Sequence, residues 1–199
     1  MTYDMTYDIT APDTLRQTIQ LPASKSISNR ALVICALAGG ACALDNLSDC
    51  DDTDVMVAAL RDMPPVIDIK AAGTAMRFTT ALLSVTPGEH TVTGTERMKH
   101  RPIGILVNSL RTLGADISYV GEEGYPPLTV RGGTLGGGSL QIRGDVSSQY
   151  ISALLMIGPA MRQGLTLQLV GDVISRPYIE LTLGMMREFG AKAEWTAVD

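Results

Sequence analysis

The chain has 199 residues, 45% of them hydrophobic and 19% charged, with a formal net charge of −5. That is apolar side chain enough for a buried core, which excludes a disordered chain. The sign of the charge excludes a protein that holds nucleic acid through bulk positive charge.

The chain opens on a repeated tetrapeptide, MTYD-MTYD, which reads as a frayed terminus without chemistry. The first informative stretch is Ser24–Arg30, SKSISNR, which follows Leu21-Pro22-Ala23 and runs into the apolar helix Ala31–Leu37. It gathers Lys25, three hydroxyls, Asn29 and Arg30 at one helix N-terminus, where free N–H groups and the helix dipole favour an anion. Capping alone accounts for the serines but not for the whole cluster. Cys35 falls inside the apolar run and reads as a buried thiol. With Cys42 and Cys50 it makes an odd set without a CxxC pair, so neither a disulfide framework nor a zinc site is expected. His90 and His100 are too few and too far apart for a metal. A strand is predicted at Ala41–Asn46 and a helix from Asp51-Asp52-Thr53 to about Asp62; Asp49, Asp51 and Asp52 read as caps and a solvated face.

After Met63-Pro64-Pro65 comes a strand at Val66–Lys70. The small-residue loop Ala71-Ala72-Gly73-Thr74-Ala75-Met76-Arg77 then leads into the apolar Thr80–Leu83. A strand at His90–Gly94 precedes a helix opened by Arg101-Pro102-Ile103 and closed near Gly114, with proline in its first turn and glycine past its end. Strands are predicted at Ile117–Val120, Leu128–Arg131 and Leu140–Arg143. Val146-Ser147-Ser148-Gln149 opens a third apolar helix through Ser152–Met156, followed by a strand at Leu165–Val170. Arg176-Pro177-Tyr178 opens a last helix ending near Gly190, and a strand is predicted at Ala193–Ala197. No signal peptide and no apolar run of transmembrane length stand out, so a cytoplasmic protein with no membrane partner is expected.

The layout repeats. Three times a small-residue loop with polar donors runs into an apolar helix, and the two later units are 75 residues apart, Arg101 to Arg176. The unit reads as strand–helix–strand–helix–strand–strand, and such units must pack together to bury their faces. Packed about a pseudo-threefold axis, they would bring their helix N-termini to one place.

With the SKSISNRA loop, the AGTAMR loop, the KHRP turn, the VSSQY loop and the GDVISRPY turn in order along the chain, it resembles the 5-enolpyruvylshikimate-3-phosphate synthase family. The resemblance covers roughly Leu21 to Gly190. It implies an α/β enolpyruvyl transferase fold of repeated βαβαββ units with pseudo-threefold symmetry, helices inside and sheets outside. Residues 1–21 would be a strand belonging to another domain. Residues 22–199 would be most of a shikimate-3-phosphate-binding domain, and the family's C-terminal half is absent. The reaction implied is transfer of enolpyruvyl from phosphoenolpyruvate to the 5-hydroxyl of shikimate 3-phosphate with release of phosphate, a step of chorismate and aromatic amino-acid biosynthesis. It needs no metal and no organic cofactor. The family member of full length is expected to be a monomer, and residues 1–199 alone are expected to bind weakly and turn over nothing.

The resemblance also implies roles. Lys25 resembles the lysine that touches both substrates and assists proton transfer, and its charge between two anions suits a donor. Ser26 and Arg30 resemble shikimate 3-phosphate ligands, Arg30 being able to fork onto a carboxylate. Gly73 would let backbone N–H groups approach phosphoenolpyruvate; Thr74 and Arg77 would support that loop. Arg101 resembles the arginine on the phosphoenolpyruvate phosphate, with Arg97, Lys99 and His100 raising the local potential. Ser147 and Ser148 resemble ligands of the shikimate phosphate, and Gln149 would bridge the two substrates. Ser175 and Tyr178 resemble further shikimate 3-phosphate contacts, with Arg176 adding charge. Ala71 and Phe78 depart from the common pattern, which usually has Asn and Pro there, so contact with the inhibitor glyphosate does not follow.

Two other readings compete. The enolpyruvyl transferase that acts on a UDP-amino sugar resembles the same fold, but it should carry a lysine–asparagine pair where this chain has Lys25-Ser26. A non-catalytic binding module is the third.

Overall fold

The computed structural model describes residues 6–40 and 42–196. Helix α1 spans Lys25–Leu37 and is capped by Ser24, whose hydroxyl accepts from the Ile27 N–H at 3.4 Å. The cap starts the helix ahead of the apolar run. Ser26, Ser28, Asn29 and Arg30 therefore lie within its first two turns rather than in a loop before it. Helix α2, Asp51–Asp62, ends on Met63 in the left-handed region, and the two prolines that follow prevent its continuation.

Next come β1 (Val66–Asp68), α3 (Gly73–Val85), β2 (Gly88–Thr93) and α4 (Glu96–Lys99). They are followed by α5 (Gly104–Thr112), β3 (Asp116–Tyr119) and β4 (Leu128–Gly132). The four strands form one sheet in the order β1-β2-β4-β3, parallel between β1 and β2 and antiparallel elsewhere. Its register sets Ile67 opposite Val92 and Val92 opposite Leu128, a row of buried side chains across the sheet. Strand β5 (Gly138–Arg143), α6 (Ser148–Ile157), β6 (Leu165–Val170) and α7 (Arg176–Glu188) complete the described elements, β5 and β6 pairing in parallel.

The helices carry the threefold pattern. Helices α1, α3 and α6 each touch the other two. Around them, α2 touches α1 and α3, α5 touches α3 and α6, and α7 touches α6 and α1. The four-stranded sheet lies outside, with β2 and β4 against α3 and β3 against α5. Helix α3 is buried at every residue from Gly73 to Ser84. Its hydroxyls survive there by bonding carbonyls one turn back: Thr80 to Met76 at 2.7 Å and Ser84 to Thr80 at 2.9 Å.

Several expectations change. The second unit is a full βαβαββ; the third shows βαβα, and the first only its two helices, among the described residues. Residues 42–46 form no strand, and Asn46 sits at φ 55°, a left-handed angle that ends any extended run. Residues 193–196 form no strand either, the carbonyl of Ala193 accepting instead from Arg187 Nε at 2.5 Å; Ala197 lies outside the described residues, as do Met1–Met5 of the terminal repeat. Among the described residues, 6–21 form no strand, and Ile9, Leu15, Ile19 and Leu21 are exposed. Helix α4, which has no apolar stripe to announce it, is held by a Thr95 cap.

Cys35 is not a free thiol. It is joined to Cys42 in a disulfide with the Cα atoms 5.9 Å apart, Gly39 and Gly40 at positive φ turning the chain back between them. Cys50 is free. The cysteines therefore do not argue for a reducing compartment. Among the described residues, no helix is long and apolar enough to cross a membrane.

Gly132 ends β4 directly under α3. A Cβ there would overlap the carbonyl oxygens of Leu83 and Thr86, which are backbone and cannot swing aside. At Gly133 the same atom meets nothing within 4 Å. Gly132→Ala is expected to cost about 1–3 kcal/mol in urea unfolding, the usual cost of overpacking, and Gly133→Ala close to nothing. Equal midpoints for the two variants would contradict this packing.

Candidate functional site

The starts of the inner helices are linked through side chains. Gln149, in the first turn of α6, accepts at Oε1 from Arg77 Nη1 of α3 at 2.9 Å and donates from Nε2 to Thr74 Oγ1 at 3.0 Å. Arg77 also donates to the carbonyl of Gly73 at 2.9 Å and lies 5.1 Å from the centre of the Tyr150 ring. This clasp fastens the start of α3 to the start of α6, as expected of a supporting role for Thr74 and Arg77. It engages one Oε1 lone pair and one Nε2–H of Gln149, which leaves the second N–H and the second lone pair on the other edge of the amide.

Gly73 is the first residue of α3, and the Arg101 guanidinium lies directly over it. A Cβ at Gly73 would stand 2.7 Å from Arg101 Cζ, so the missing side chain is what lets the exposed Arg101 lie across this helix N-terminus. Beside it, Lys99 pairs with Glu96 at 2.6 Å and His100 Nδ1 contacts the Glu96 carbonyl at 2.7 Å. Glu96 thus offsets part of the potential expected from that cluster.

At α1, Lys25 pairs with Asp52 of α2 at 3.4 Å, both partly exposed. The acidic run at the start of α2 is therefore more than a solvated face, since one of its carboxylates holds Lys25. Ser28 accepts from the Ser48 N–H at 2.9 Å, and Asn29 accepts from the Thr53 hydroxyl at 3.1 Å. Those two polar groups are structural. Ser26 stays partly exposed and does not cap the helix, its carbonyl accepting from Arg30 Nη1 at 2.9 Å.

Arg30 differs from the other cations. Its side chain is almost wholly buried, 2% exposed, and its hydrogen-bond partners among the described residues are neutral: the Ser26 carbonyl, Thr182 Oγ1 at 2.7 Å and Ser152 Oγ at 2.9 Å. Phe78 and Tyr178 flank it, their ring centres 5.3 and 5.9 Å from Cζ. Burial pulls its pKa down to about 10, countered in part by electrostatic attraction to the Tyr178 side chain. Phe78 is fully buried, with its ring against Arg30.

Tyr178 is 48% exposed at the start of α7, so it is not core. Ser175 holds the N-cap position of α7 without making a side-chain capping bond, while Ser147 does cap α6, accepting from the Gln149 N–H at 3.4 Å. Ser148 follows as the first residue of α6, partly exposed. Arg176 pairs with Glu180 at 3.4 Å and lies 5.1 Å from the Trp195 ring, so its charge is engaged on the outer side of α7.

No sequence motif marks Ser152 or Thr182, and Asp52, read as part of a solvated face, is instead the partner of Lys25. Ser152 and Thr182 are small polar residues on the buried faces of α6 and α7, in stripes with Ile151 and Leu154 and with Ile179 and Leu183. A hydroxyl in an apolar stripe was the available signal, since a buried hydroxyl needs a partner. Among the described residues no group of three or more His, Cys, Asp or Glu side chains is placed to hold a metal ion. A groove of about 890 Å³ runs between β6, α7 and Trp195; its wall mixes apolar side chains such as Leu167, Leu183 and Met186 with Lys192 and Glu194, and holds none of the cations above.

The model of the EPSP synthase (3-phosphoshikimate 1-carboxyvinyltransferase) family matches residues 9–65 and 63–198. The chain belongs to the EPSP synthase family. A 3-phosphoshikimate 1-carboxyvinyltransferase of Bacteroides fragilis is 63% identical over 193 residues, 97% of this chain and 47% of that protein. One from Shewanella piezotolerans is 42% identical over 87% of this chain and 47% of its own length. This EPSP synthase family chain therefore spans about half the length of the curated relatives it matches. Solved EPSP synthase structures from Acinetobacter baumannii share its fold, one with a TM-score of 0.75 at 23% identity over 89% of this chain and 44% of that one.

Gly73→Ala is expected to fold normally, since alanine suits a helix and the overlap is with a flexible, exposed side chain. Its melting temperature should stay within about 3 °C of wild type, while the Arg101 Nε–H resonance shifts as the guanidinium is displaced. An unmoved resonance would mean that Arg101 does not lie over Gly73.

Proposed function

We propose that this chain forms the shikimate 3-phosphate-binding wall of a 3-phosphoshikimate 1-carboxyvinyltransferase. The observation that carries the proposal is Arg30: a buried guanidinium, held by neutral oxygens, at the start of a helix that also presents Lys25 and Ser26. Burial without a counter-charge is costly for a cation. An anionic ligand lowers that cost, and the carboxylate of shikimate 3-phosphate has the right charge and shape for the guanidinium. Ser147, Ser148, Gln149, Ser175 and Tyr178 supply the hydroxyls, amide and N-terminal helical N–H groups for its phosphate and ring hydroxyls. Lys25, Gly73 and Arg101, with the other edge of Gln149, take phosphoenolpyruvate. Lys25 then donates a hydrogen bond toward the reacting enol. Residues 6–21, with their exposed Ile9, Leu15, Ile19 and Leu21, suit a strand that pairs with a second domain. The names of the relatives support this reading over the UDP-amino sugar transferase, as does serine rather than asparagine after Lys25.

Each substrate carries a carboxylate and a phosphate, about three negative charges apiece at neutral pH. Against roughly six charges, the cations assigned here are Lys25, Arg30 and Arg101, and Lys25 already faces Asp52. We therefore expect residues 1–199 alone to bind shikimate 3-phosphate and to release no phosphate when phosphoenolpyruvate is added.

Titration calorimetry tests the assignment. Saturable heat is expected with shikimate 3-phosphate and none with UDP-N-acetylglucosamine; the reverse would reject it. Arg30→Ala should weaken shikimate 3-phosphate by about 2–4 kcal/mol, the loss of one partner of a charged pair, and an unchanged Kd would make Arg30 purely structural.

A further inference from the structure

Three helices meet at Arg30 through two hydroxyls, and counting protons shows how. The guanidinium can only donate, so Nε–H gives to Thr182 Oγ1 and an Nη2–H gives to Ser152 Oγ. Thr182 Oγ1 also lies 2.8 Å from the carbonyl of Tyr178, which can only accept, so the single Thr182 proton goes there. The remaining contact, Thr182 Oγ1 to Ser152 Oγ at 2.9 Å, must then take its proton from Ser152. Thr182 accepts twice and donates once; Ser152 accepts once and donates once. No other assignment satisfies all four contacts, and both hydroxyls, each 0% exposed, are left with no unmet donor.

This closed ring locks the guanidinium plane. With Nε–H, one Nη1–H and one Nη2–H engaged, one N–H on each Nη nitrogen remains for a ligand. The ring does so with neutral groups only. A carboxylate in place of Thr182 would fix Arg30 equally well but would cancel the charge that an anion needs. The back-bond to the Tyr178 carbonyl also ties the ring to the first turn of α7, which presents Ser175 and Tyr178.

We propose that Thr182, with Ser152, is a positioning residue that aims the Arg30 guanidinium at the anion while leaving its charge uncompensated. This deepens the reading of the site as a shikimate 3-phosphate wall and rests on it for the identity of the ligand.

The test compares Thr182→Val, which keeps shape and removes the hydroxyl, with Thr182→Ser, which keeps the hydroxyl. The first readout needs no ligand: the Arg30 Nε–H resonance, assigned by its loss in Arg30→Lys. In the wild type and Thr182→Ser it should be sharp and slow to exchange; in Thr182→Val it should move and exchange at least about tenfold faster, as expected for a lost buried hydrogen bond. The second readout is the Kd for shikimate 3-phosphate by calorimetry. It should rise about tenfold or more in Thr182→Val and stay within about threefold in Thr182→Ser, the range for losing or keeping a bond to a charged group. If Thr182→Val does not fold, Ser152→Ala replaces it and should perturb the same resonance and weaken the same ligand. An unmoved Nε–H signal in the folded hydroxyl-free variant overturns the proposal. So does a Thr182→Ser that fails as badly as Thr182→Val, since packing alone would then explain both. A wild type that takes up no shikimate 3-phosphate, but whose resonance responds as described, rejects the ligand and keeps the positioning role.

Discussion

A guanidinium is hard to bury, and this fold buries one between α1, α6 and α7 with only oxygens of no net charge around it. Much of the local arrangement follows from that constraint. Arg30 must be saturated with hydrogen bonds, so small hydroxyls appear on the otherwise apolar faces of α6 and α7. It must be screened from water, so Phe78 and Tyr178 flank it. The reward for meeting these conditions is a fixed positive charge beneath the helix starts, depressed in pKa by burial yet still charged at neutral pH.

The threefold packing places that charge. Each inner helix touches the other two, and each outer helix wedges between a pair, so side chains far apart in sequence become neighbours. Gln149 reaches Arg77 and Thr74, 72 and 75 residues away, only because α3 and α6 pack together; Arg101 lies on Gly73 because the chain returns through α4 and the turn after it. Glycine at the start of α3 and serine at the start of α6 do different work: the missing side chain of Gly73 makes room for the Arg101 guanidinium, and the Ser147 hydroxyl caps α6.

Much of this was legible beforehand. The helix starts at Asp51 and Arg176 and the strand Leu165–Val170 were read to the residue, because caps, prolines and β-branched or leucine alternation are local signals. Local signals also misled. Ala41–Asn46 reads as a strand, but the described residues 42–46 form none, and Cys35 reads as an isolated thiol although the turn at Gly39-Gly40 brings Cys42 beside it. A strand and a disulfide both need a partner, and partners are set by the fold.

The site divides in the same way. The sequence by itself determined the inventory: which loops carry cations and hydroxyls, that they repeat, and that each opens a helix whose N-terminus favours an anion. Only the tertiary structure decided what each group does there. It turned Ser28 and Asn29 inward, set Asp52 against Lys25, turned Arg176 outward to Glu180, and recruited Ser152 and Thr182, which no motif marks, to hold Arg30. The reason is physical. Helix starts and turns are fixed by interactions a few residues long, whereas the direction of a buried charge depends on hydrogen-bond partners 122 and 152 residues away.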